Sequence, residues 1–220
     1  MTPLRRIAVA NLLLGLLIAP NAFAGSQQAA AKDGDVLVYY CHNLSIVTVR
    51  VFPKRVEIET EARKATLAEI TPASPVRYSN GSMTLSNLTE LVRLEEPGAV
   101  YFCRSLPTEV AWQEARFRGI EFRAAGDTPS WSLEIDSGVA IEFTSGQGDT
   151  RAVTRFPPAK LAGTDTRMTL ATVSGSLSLT VLSERRVCTL GESVMTLTVT
   201  VTLNGKTYSG CGRTLPPPLP

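Results

Sequence analysis

Few residues in this chain are equipped to do chemistry. Four cysteines stand in two separated pairs, Cys41 with Cys103 and Cys188 with Cys211. A single histidine, His42, follows the first of them. An even cysteine count in an exported protein points to disulfides. A metal site would need a C-x-x-C spacing or more imidazoles, and the sequence has neither, so no metal ligand is assigned. A lone histidine removes most acid–base constellations. No G-x-S-x-G elbow, no Ser-x-x-Lys set and no phosphate loop occurs. Neighbouring carboxylates such as Glu57 and Glu59, or Glu95 and Glu96, could serve glycoside hydrolysis, but alternation on an exposed strand face accounts for them without catalysis. The expectation is a binding protein and not an enzyme, with no catalytic residue and no cofactor.

The N-terminus supplies the setting for oxidation. Arg5 and Arg6 precede an apolar run from Ile7 to Pro20, and Ala22-Phe23-Ala24 follows. These are the three regions of a secretory signal. The run is shorter than the ~20 apolar residues of a membrane span, and no cysteine follows the cleavage point to take a lipid. Residues 1–24 are read as a signal peptide and 25–35 as a flexible leader. The mature protein is expected in the periplasm or outside the cell, with no stable membrane span. Net charge is +2, from 22 Lys and Arg against 20 Asp and Glu, and two of the arginines sit in the signal. A nucleic-acid partner would require a clustered basic surface, and the longest basic run is Arg185-Arg186.

The elements that must carry these residues are strands. Val56 and Ile58 alternate with Glu57 and Glu59, the period of a half-buried strand. Similar stretches start at Val36, Ile46 and Ala65. Asn80-Gly81 and Pro97-Gly98 mark turns between further strands, up to Cys103. Residues 36–105 form a first unit and 106–118 a connector, in which 114–118 could make one helical turn. Residues 119–213 form a second unit. There Trp131, Leu133 and Ile135 alternate with polar residues. Met195, Leu197, Val199, Val201 and Leu203 face opposite to Thr196, Thr198, Thr200 and Thr202. Asn204-Gly205 then turns the chain back toward Cys211. Residues 214–220 are a proline-rich tail, in which Pro216 to Pro220 cannot pack as regular structure. The fold class expected is all-β, with two small antiparallel barrel or sandwich domains and one disulfide in each.

Four cysteines allow three connectivities. Cys41–Cys103 and Cys188–Cys211 are favoured because each bond then closes inside one expected sheet. The chain-entropy treatment makes the longer loop worth roughly 4 kcal/mol and the shorter roughly 3. Small β domains with modest cores need contributions of that size.

Residues 36–105 also resemble the periplasmic inhibitors of C-type lysozyme from Gram-negative bacteria, the MliC family. The likeness rests on Tyr39-Tyr40-Cys41 at the start and Cys103 at the close. Between them, Ala73, Ser74, Arg77 and Tyr78 match a loop of the type Ser-Ala-Ser-Gly-x-Arg-Tyr. Pro72 and Pro75 replace its first serine and its glycine. Leu85 to Leu88 stand where the family carries Trp-x-Lys-Gly. The resemblance implies that the 72–78 loop enters a lysozyme cleft, with Ser74, Arg77 and Tyr78 as the binding residues and C-type lysozyme as the partner. Hydroxyl and cationic donors on a stiff loop complement the two acidic groups of such a cleft. The missing lysine removes a charge-assisted contact of about 1.5–3 kcal/mol. That loss keeps open an alternative, a non-inhibitory envelope interaction protein built on the same scaffold. The second unit resembles an uncharacterised Gram-negative envelope domain, through Phe122 to Gly126, Pro129 to Ile135, Cys188 and Gly210-Cys211-Gly212.

Overall fold

The computed structural model describes residues 34–219, apart from positions 44, 62, 72–74, 149, 156–166 and 175–176. The signal peptide, most of the leader and Ser74 therefore lie outside the described residues. The protein is all-β, with two antiparallel units, one short helix and one disulfide in each unit.

The first unit is a closed barrel whose eight strands follow chain order. They are β1 (Val36–Cys41), β2 (Ile46–Phe52), β3 (Arg55–Glu59), β4 (Lys64–Thr71), β5 (Arg77–Ser79), β6 (Thr84–Ser86), β7 (Leu91–Glu96) and β8 (Ala99–Ser105). Alternation decides which side chains enter. Val47, Val49 and Val51 of β2 face Val56 and Ile58 of β3, with Leu67, Leu85, Val92 and Leu94 completing the core. Burying one such side chain is worth ~1.5–3 kcal/mol. β1 and β8 close the barrel, and in their register Cys41 lies directly opposite Cys103. The disulfide joins them with a Cα–Cα distance of 3.9 Å, so closure is covalent as well as hydrogen-bonded.

The second unit has a different order. Its strands are β9 (Phe122–Asp127), β10 (Ser130–Asp136), β11 (Ala140–Ser145), β12 (Thr150–Arg155), β13 (Arg167–Ser174), β14 (Leu177–Glu184), β15 (Cys188–Leu190), β16 (Ser193–Met195), β17 (Leu197–Leu203) and β18 (Lys206–Thr214). Eight of them make one sheet, ordered β12-β11-β10-β9-β18-β17-β14-β13, while β15 and β16 form a separate ribbon. Trp131 stacks on Phe143 at 5.9 Å, and Phe143 lies 4.9 Å from Tyr208. The Trp131 indole donates to the Ser209 carbonyl at 3.1 Å. Gly126 and Gly210 leave room for that ring, since a Cβ on either would fall within 3 Å of it. Asn204 and Gly205 both take positive φ, the conformation a two-residue hairpin turn requires.

Two expectations are corrected here. Residues 106–118 do connect the two units, but as a helix over Pro107–Phe117, α1, in place of the single turn expected over 114–118. Pro107 begins it, Glu109 sits in the first turn and Arg116 in the last, which suits the helix dipole. Its buried face is Glu109, Trp112, Ala115 and Arg116. That spacing is helical, but two members are charged, so no apolar stripe announces it. The second disulfide does not close inside a sheet. It ties β15 of the ribbon to β18 of the main sheet. The tail has no regular structure over residues 215–219, as expected, yet it is held to the fold. Leu215 is buried in a core shared with Trp112, Ala115, Met195 and Cys211.

Candidate functional site

Arg77 and Tyr78 open β5, which pairs with β4 on one side and β6 on the other. Strand alternation sends them opposite ways. Arg77 is exposed, while Tyr78 keeps only 8% of its surface and belongs to the barrel core. Burial raises the Tyr78 phenol above its usual range, and the Glu69 carboxylate raises it further. Tyr78 therefore holds β5 from inside, with its side chain in the barrel core. This narrows the contact set drawn from the resemblance, with Arg77 its outward member. Ser74 lies outside the described residues.

The strand leading into the loop adds a residue that the sequence reading missed. The β4–β5 register shifts between Glu69 and Thr71. Ile70 sits in that irregularity with 54% of its surface exposed. A bulge of this kind re-aims a side chain and ends regular pairing. Its sequence signal is phase. Leu67 points inward, so Ile70 falls on the outward phase with Lys64, Thr66 and Ala68. The β5–β6 turn beyond is tightly held. Asn80 Oδ1 accepts from the Met83 amide at 2.9 Å, and Ser79 Oγ donates to the Met83 carbonyl at 2.8 Å. The result is an exposed cation and an exposed isoleucine on a braced edge of a closed barrel.

Two other surfaces qualify as candidates. The outer face of β7 and β8 exposes Leu91, Val100 and Phe102, the last at 56%. Arg93 lies opposite Phe102 in the ladder. His42 is also exposed, on the turn after β1.

The other surface is a cleft of about 390 Å³ between the barrel and α1, lined among others by Thr48, Glu59, Glu61, Gln113, Arg116 and Leu219. Glu59 of β3 and Arg116 of α1 form a buried ion pair at 2.5 Å. Removing one partner of such a pair costs ~3–5 kcal/mol.

Along the helix, Glu109 accepts from Ser193 Oγ at 2.6 Å and pairs with Arg213. The Arg213 and Arg123 guanidinium groups both lie against the Trp112 ring, at 4.9 and 5.5 Å from its centroid. Burial pushes Arg123 below its usual value, and Glu134 draws it back. One short helix is thus bonded by charge to both units.

All four cysteines are bridged. Among the described residues no group of three His, Cys, Asp or Glu side chains could hold a metal ion. Among them, too, no helix is long and apolar enough to cross a membrane. No family model, curated protein or solved structure matches this chain.

Proposed function

We propose that this is an exported binding protein that blocks the cleft of a C-type lysozyme with residues 70–78 of its barrel. Residues 1–24 direct export and are removed, and the disulfides form in the periplasm or beyond. The observation that carries the reading is the division of labour on β5. Arg77 projects outward from a braced strand while Tyr78 holds that strand from within. A charged fork on a pre-ordered edge loses little conformational entropy when it meets an acidic cleft. Its planar donors suit a carboxylate. Ile70 beside it supplies apolar contact. The role is binding and not turnover, because the chemistry on this edge is that of a donor complementing carboxylates that belong to the partner.

The test is a titration of C-type lysozyme activity on bacterial cell walls with the purified protein. Inhibition at micromolar protein is expected, with a loss of tenfold or more in potency for Arg77→Ala. No inhibition at that concentration rejects the reading.

A second reading takes the barrel as a scaffold for another envelope partner. The exposed Leu91, Val100 and Phe102 face of β7 and β8 favours it. It predicts that Phe102→Ala abolishes partner binding while Arg77→Ala does not.

A further inference from the structure

We infer that the groove between the barrel and α1 is a docking site for an extended, proline-containing peptide, and that the chain's own residues 216–219 occupy it in cis. Leu215 is held in the helix core, which fixes where the segment enters. Pro216, Pro217 and Pro218 follow. Proline has no amide proton and a preset φ, so such a run enters a groove without unpaired donors and with little left to order. The first amide proton after the run belongs to Leu219, and the barrel takes it. Leu219 N–H donates to Glu59 Oε1 at 3.2 Å. The Leu219 carbonyl accepts from Lys64 Nζ at 3.3 Å. Both backbone polar groups of one residue are gripped by side chains that flank the β3–β4 turn.

The grip is incomplete in a way that defines a better ligand. Glu59 is buried, and Arg116 holds the same oxygen that receives Leu219. The other oxygen, Oε2, is buried with no hydrogen-bond partner. A buried acceptor left open weakens a complex that could fill it. The tail thus leaves one acceptor unused. A peptide with the same proline run and a hydroxyl or amide donor next to the leucine fits the groove better than the tail does. The tail is a displaceable occupant and the groove an interaction surface for that peptide class.

The test uses fluorescein-labelled peptides and fluorescence anisotropy. One peptide carries the sequence of residues 216–220, and a second has serine in place of the final proline. A variant truncated after Leu215 is expected to bind the first peptide at least tenfold tighter than the full chain does. It is expected to bind the serine peptide severalfold tighter still. Glu59→Gln in the truncated variant is expected to weaken both at least tenfold. Equal binding by the full and truncated chains overturns the proposal, as does no binding by a folded truncated variant or indifference to Glu59→Gln. Equal affinity for the two peptides overturns the assignment of the open acceptor. If truncation prevents folding, amide hydrogen exchange of the full chain decides. Leu219 is expected to be protected, and Glu59→Gln with Lys64→Ala to speed its exchange about tenfold. An unprotected Leu219 in the unaltered chain contradicts the inference.

Discussion

The barrel joins each strand to its sequence neighbour and then closes β1 on β8, whereas the second sheet sets β18 and β17 between β9 and β14 and ends on β12 and β13. The difference reaches the cores. The barrel core consists of barrel residues alone. The second unit needs two cores, one under its sheet and one shared with α1, the ribbon and Leu215. Even the disulfides follow the division. Cys41–Cys103 seals a seam between adjacent strands, while Cys188–Cys211 fastens a ribbon to a sheet. A self-contained barrel can present an edge to a partner whatever happens elsewhere. The second unit depends on the helix that links it to the barrel.

The largest difference between the two units is expected from Trp112→Ala. It empties the core beneath α1 and removes the ring against which Arg123 and Arg213 lie. The expected loss is about 3–5 kcal/mol, read as a lower urea midpoint for the second unit with the barrel's amide protection retained. Equal losses in both units would erase the distinction.

Gly210→Ala acts next. A Cβ there would lie 2.1 Å from the Ala125 carbonyl oxygen, which is backbone and cannot swing aside. Overpacking of this kind costs about 1–3 kcal/mol. Calorimetry should show the second unit's transition falling alone.

Alkaline pH should separate the units in the opposite sense. Burial pushes the Tyr39 phenol of the barrel up to about 12 from 10. The fold therefore favours the neutral phenol. That stability is complete below pH 10 and is lost as pH rises from 10 through 12. The total is about 2–3 kcal/mol. In the second unit the Ser145 hydroxyl lowers the Tyr208 phenol; burial opposes it, and Lys206 adds to the lowering, so its contribution has the other sign. Hydrogen exchange at pH 10 and 11 should show the barrel loosening first.

The smallest effect on stability belongs to Arg77→Ala, within about 0.5 kcal/mol by urea unfolding, because the side chain is exposed. Its cost should appear only in binding.

Much of the barrel was legible because its strands alternate cleanly and its turns carry Asn80-Gly81 and Pro97-Gly98. The Cys41–Cys103 bond was legible for the same reason, since its two strands pair in one sheet, whereas Cys188–Cys211 joins a ribbon to a sheet and was expected for a reason the fold does not bear out. Helix α1 was hidden. Two of its four buried residues are Glu109 and Arg116, and their partners Arg213 and Glu59 lie far away in the chain. No local pattern announces a charged face that tertiary partners neutralise. The strand order of the second sheet was hidden too, because β18 and β9 share a ladder across most of that unit's length. At the candidate site the sequence offered Arg77 and Tyr78 as equals. Strand parity separates them, and it also marks Ile70 as outward.

Hydrogen–deuterium exchange with and without C-type lysozyme tests the central claim most directly. The account predicts new protection across residues 69–79 of the barrel, absent in Arg77→Ala, and no change in the second sheet. Protection confined to the second unit, or none at all, would contradict it.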